Sequence, residues 1–74
     1  MEERIRTIFQ QSFGVDQIND SMSIDNVKGW DSMGHVGLMM ALQKEFGVSI
    51  PPAKAIELIN IVSIKVFLSK QGIQ

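Results

Sequence analysis

Residues 30 to 47 run Trp30-Asp31-Ser32-Met33-Gly34-His35-Val36-Gly37-Leu38-Met39-Met40-Ala41-Leu42-Gln43-Lys44-Glu45-Phe46-Gly47. Asp31 or Ser32 at the start and Gly47 at the end are N-cap and C-cap signals, and the spacing between them predicts a helix over 32–46. On a wheel at 100° per residue with Ser32 at zero, Leu38, Met39, Leu42 and Phe46 fill one arc from about 240° to 340°. Met33, Val36 and Met40 fall in another, from about 40° to 100°. One helix therefore has two apolar faces. The first reads as core. The second either packs under a neighbouring loop or stays exposed as a strip for a partner, a role that methionine suits because its unbranched, polarisable chain adapts to more than one surface.

Outward from this helix, Ile5, Ile8, Phe9 and Phe13 recur at spacings of three and four over residues 3–13, and Gly14 supplies a stop, which predicts a first helix. From Val15 to Trp30 the periodicity breaks into Asp, Asn, Ser and Gly with isolated Ile18, Met22, Ile24 and Val27. This is a long loop with apolar anchors, and loops of such length in small domains are functional or packed back on the core. After Gly47, Val48 to Pro52 reads as a turn with Ile50 as an anchor. Pro51 and Pro52 then suit the entry to a short helix over about 53–58. Asn60 caps a last helix in which Ile61, Ile64, Phe67 and Leu68 share a face, and Gly72 ends it. No strand-period alternation and no internal repeat appears. The expectation is an all-α fold of four helices, three longer and one short, with the long loop between the first two. Residues 1–74 are expected to form a single domain.

With 74 residues, size scaling predicts a folded surface of about 4,600 Å² and burial of about 60% of the extended chain's surface. That leaves a thin stability margin. There is no cysteine and one histidine, so neither a disulfide nor a thiolate-rich zinc site can widen it, and helix packing must hold the fold. Seven Lys and Arg against eight Asp and Glu give a net charge of −1 without a basic cluster, which argues against nucleic acid as a partner. A hydrophobic content of 45% is that of a folded domain. No apolar run reaches membrane-spanning length, and Met1-Glu2-Glu3-Arg4 lacks the basic and apolar regions of a secretory signal. A cytoplasmic monomer is expected.

Ser32 and His35 lie one turn apart, which raises a nucleophile and base pair. A hydrolase elbow would need glycine at position 30, where the chain has Trp30, and would project its serine from a sheet. No third member or oxyanion site is evident. His35 therefore reads as a partly buried structural residue, and the Ser32 hydroxyl, taken alone, as a helix cap. Gly34 and Gly37 each cost a helix interior roughly 1 kcal/mol relative to Ala, which points to close approach or a flexible helix start.

Asp31-Ser32-Met33 opening the second helix, and Phe46-Gly47-Val48-Ser49-Ile50-Pro51 leading to a short third one, give the chain a resemblance to the acyl carrier proteins over nearly its whole length. The family typically has Asp-Ser-Leu at this junction, and Met33 is a volume-conserving replacement for the leucine. The resemblance implies a non-enzymatic carrier that holds acyl groups as thioesters on 4′-phosphopantetheine attached to Ser32. It implies that Asp31 assists the phosphopantetheinyl transferase acting on coenzyme A, through a magnesium ion in that enzyme's site. It further implies that Met33, Val36 and Met40, with Gly37 among them, face partners, which would include acyl-activating or acyl-transferring enzymes. The chain departs from the family in having Gly37, Gln43 and Lys44 where acidic residues are common, so electrostatic steering should be weak. The Trp-Asp-Ser opening followed by Gly-His is similar to carriers of specialised polyketide, peptide or saccharide-modifying pathways. Two alternatives stay open: an aminoacyl or peptidyl carrier, and an unmodified helical adaptor binding through Met33, Val36 and Met40.

Overall fold

A computed structural model describes residues Met1–Gln74 and contains four helices, α1 (Glu2–Phe13), α2 (Ser32–Phe46), α3 (Pro52–Ala55) and α4 (Ile61–Lys70). Glycine sets two of the ends as expected. Gly14 and Gly47 adopt φ of 73° and 63°, and each returns its N–H to a carbonyl four residues back, Gln10 and Gln43. Asn60 caps α4 through Ser63 N–H, and Ser63 answers with a bond to the Asn60 backbone, completing a capping box. Beyond Lys70, Gly72 at φ 86° lets Ile73 N–H reach Leu68 O and Gly72 N–H reach Ser69 O, the two bonds of a Schellman ending.

The apolar stripes meet in one core. Ile5, Ile8 and Phe9 from α1, Leu38, Met39, Leu42 and Phe46 from α2, and Ile61, Ile64, Phe67 and Leu68 from α4 are buried together with Val27, Trp30, Ile50 and Leu58 from the connections. The folded surface is 4602 Å², so the helices and the connections packed on them together reach the burial that size scaling requires. Arg4 joins the first helix to the end of the second: its Nε donates to Glu45 Oε2 at 2.8 Å, its Nη2 to Glu45 O at 2.7 Å, and its guanidinium lies 4.3 Å from the centre of the Phe46 ring. A cation at the carbonyl end of a helix is the favourable sense of the helix dipole. Lys65 bridges Glu2 and Asp20, tying α4 to the start of α1 and to the long loop. The hydrogen bond to Asp20, then that to Glu2, hold its ammonium above the usual lysine range.

The long loop is pinned rather than loose. Ile24 N–H donates to Ile59 O and Ile61 N–H to Met22 O, Asn26 takes Ser23 N–H and gives its amide to Ser21 O, and Ile18, Met22 and Ile24 pack on the core. The short helix is shorter than the expected 53–58. The Ala55 carbonyl, which would receive Ile59 N–H in a continued α-helix, takes Leu58 N–H and His35 Nε2 instead, while Ile59 O is committed to the loop.

Gly34 shows the close approach that its type foreshadows, because a Cβ there would lie 2.1 Å from Gly29 O and 3.1 Å from Phe13. At Gly37 a Cβ would meet nothing within 4 Å. The same substitution should therefore have opposite signs. Gly37→Ala is expected to stabilise the chain by about 1 kcal/mol through helix propensity, and Gly34→Ala to destabilise it by more than that gain, since the loop backbone must move. Thermal unfolding of the two variants compares them directly; a common sign would contradict the packing described.

Candidate functional site

The chain enters α2 through Asp31, whose backbone is extended (φ −112°, ψ −165°) and whose Oδ1 accepts Gly34 N–H at 2.8 Å. The cap is therefore Asp31, and the reading of Ser32 as the capping group is corrected. The reason is backbone geometry: the residue with non-helical dihedrals can turn its side chain back on the third helical N–H, whereas Ser32 already has helical dihedrals. Ser32 is exposed and its hydroxyl takes no part in the capping. The N–H groups of Ser32 and Met33, in the first turn, have no intrahelical carbonyl to donate to. The start of α2 thus presents a hydroxyl, two backbone donors and the positive end of the helix dipole, which together favour an anion.

His35, one turn on, is partly buried and committed elsewhere. Its Nδ1 lies 2.9 Å from Trp30 Nε1 and its Nε2 lies 2.8 Å from Ala55 O. An indole N–H only donates and a carbonyl only accepts, so the partners assign the ring proton to Nε2 and occupy the Nδ1 lone pair. No ring nitrogen is left to act as a base for Ser32. The histidine instead links the loop, α2 and α3.

Trp30 carries the other side of that link. It is 2% exposed, lies edge-on to Phe9 at 5.2 Å, and stacks with Phe13 at 5.8 Å and His35 at 6.2 Å. The indole points inward, away from the second apolar strip beside which its sequence position places it. Its size and its single polar atom are the signals of a core residue that needs one hydrogen-bond acceptor. That acceptor is His35 Nδ1, and the partner of the other ring nitrogen, Ala55 O, is a backbone atom distant in sequence that leaves no sequence signal.

Met33, Val36 and Met40 are 81%, 57% and 64% exposed, and Gly37 is exposed among them. The structure thus decides the open choice for this strip: it does not pack under the loop. Ile56, just past α3 and 74% exposed, is a further apolar residue near this end that periodicity did not single out, because it falls in the turn that cuts the helix short.

A family model described as phosphopantetheine attachment site matches residues 3–66, a span that includes all but the first residue of α1, the whole of α2 and α3, and most of α4. An acyl carrier protein from Guillardia theta is 31% identical over 71 residues, covering 93% of this chain and 88% of the relative. A four-helix fold without strands, a serine left open at the start of α2 and both similarities agree. The chain belongs to the acyl carrier protein family, non-enzymatic carriers whose prosthetic group is covalently attached phosphopantetheine.

Proposed function

We propose that Ser32 is the attachment residue, and that the chain carries acyl intermediates for a fatty-acid-like, polyketide or saccharide-modifying pathway in the cytoplasm. The observation that carries the assignment is the exposed Ser32 hydroxyl at the start of α2, with its capping duty taken by Asp31. In the loading step the Ser32 oxygen forms a bond to the phosphorus bearing the pantetheine arm of coenzyme A. The pyrophosphate bond breaks, 3′,5′-ADP leaves, and the hydroxyl proton passes to a base of the transferase. The new phosphodiester fits the first-turn N–H groups. When bound, the arm supplies the thiol that a chain without cysteine lacks. Asp31 serves twice on this reading: Oδ1 holds the helix start, and the exposed carboxylate would assist the transferase through the magnesium ion of that enzyme.

Intact-mass measurement after incubation with coenzyme A and a broad-specificity phosphopantetheinyl transferase is expected to show the gain of one phosphopantetheinyl group. No gain overturns the assignment. The exposed strip supports delivery to acyl-processing enzymes through Met33, Val36, Gly37 and Met40. Met40→Glu should leave the unfolding temperature nearly unchanged yet impair acyl transfer to or from at least one enzyme; a large loss of stability would make the side chain core instead. Loading assays with adenylating and with acyl-transferring enzymes separate an aminoacyl from an acyl cargo.

A further inference from the structure

His35 joins two groups whose polarity cannot change. The Trp30 indole N–H, with its nitrogen 2.9 Å from Nδ1, only donates, and Ala55 O, 2.8 Å from Nε2, only accepts. The ring satisfies both only as the neutral Nε2–H form. A second proton would go to Nδ1 and set one N–H against another, with a positive charge added. The indole cannot turn aside, because it is 2% exposed and held by Phe9 and Phe13. Nor does a counter-charge wait for the ring. Residues 7–13 of α1 have no charge, Asp16, Asp20, Asp25 and Lys28 of the long loop are exposed, and Asp31 places Oδ1 on Gly34 N–H. Lys44 and Glu45 lie at the far end of α2, and Lys54 and Glu57, on either side of Ala55, pair with each other at 3.0 Å. None of them bonds to the imidazole.

The same ring is the polar tie between α3 and the rest of the molecule. Pro52–Ala55 contains no buried residue; Ile50 before it and Leu58 after it are the buried anchors. Between those anchors, the bond from His35 to Ala55 O is the one hydrogen bond that arrives from another element. We propose that His35 is a proton-operated latch. With the ring neutral, the loop at Trp30, α2 and α3 are joined through one imidazole. A proton taken from solvent onto Nδ1 removes the acceptor for the indole N–H, and the imidazolium moves off the indole, so that α3 loses its tie to the loop. Ser32 stands in the chain between Trp30 and His35, and the same event therefore loosens the entry to α2. The latch belongs to the unloaded chain and does not depend on the carrier reading.

The chain has one histidine, so NMR of the isotope-labelled protein follows its ring nitrogens without ambiguity from about pH 8 to about pH 5, the span in which an imidazole charges. The Nε2–H tautomer is expected at the upper end. As the ring charges, the Trp30 indole N–H and the amides of Lys54 to Leu58 should shift with the midpoint of the ring itself. Protection of the indole hydrogen, taken relative to free indole exchange at the same pH, should fall about tenfold, the scale of one lost hydrogen bond. His35→Gln keeps a donor and an acceptor, cannot charge, and leaves every other titrating group in place, so these responses should vanish from it. An Nδ1–H tautomer at the upper end, a ring that charges while the indole and α3 signals stay fixed, or the same shifts in His35→Gln would each overturn the proposal. If His35→Gln does not fold, the tautomer and the shared midpoint of the parent chain decide alone. The titration needs neither coenzyme A nor a partner, so its failure is distinct from a failure of loading.

Discussion

Ser32→Ala is expected to gain no mass from coenzyme A and a phosphopantetheinyl transferase under conditions that load the parent chain completely. The effect is all-or-none because the hydroxyl oxygen is the atom that would bond to phosphorus. The fold should not change. The hydroxyl is exposed, the cap at this helix end is Asp31, and alanine is at least as good a helix former. Asp31→Ala makes the contrast: it removes the acceptor for Gly34 N–H and should cost about 1 kcal/mol of stability, besides slowing loading. Intact mass paired with thermal unfolding reads both variants. A Ser32→Ala chain that still gained mass would place the attachment elsewhere, and one that unfolded would show Ser32 to be structural.

The second large effect is on stability. Trp30→Ala should cost about 3 to 5 kcal/mol, a large share of the roughly 4 to 11 kcal/mol available to a domain of this size. The indole is buried against Phe9 and Phe13, so truncation leaves a cavity where three aromatic rings meet. It also strips His35 Nδ1 of its donor and so loosens the link to Ala55. Trp30→Phe refills much of the volume without the N–H and should lose less, since the cavity is smaller and a histidine without its donor costs about 1 to 3 kcal/mol. Urea denaturation followed by circular dichroism measures both. A loss under 1 kcal/mol for Trp30→Ala would contradict the packing.

What was legible in the residues was local. Gly14, Gly47 and Asn60 mark helix ends through their own backbone or side-chain chemistry, and the four-helix order followed from them and from the 3.6-residue periodicity. The end of α3 was not legible, because it is fixed by His35 on Ala55 O and by the bond from Ile24 to Ile59, contacts far apart in sequence. Asp31 and Ser32 are both good capping types, so only the dihedrals could assign the cap. The two faces of α2 were visible on the wheel, yet which face was covered depended on where the long loop lies. Ser32 stood out through the Asp31-Ser32-Met33 motif in a family-like setting rather than through any spacing of chemical groups.

The buried indole has an optical consequence. Trp30 is the one tryptophan in a chain that has no tyrosine, and it lies two residues before Ser32. All intrinsic emission at long ultraviolet excitation therefore originates from a single, water-shielded ring at the start of α2. Unfolding should shift that emission to the red, and displacement of His35 should change its intensity, so the protein contains its own fluorescent gauge of the entry to α2.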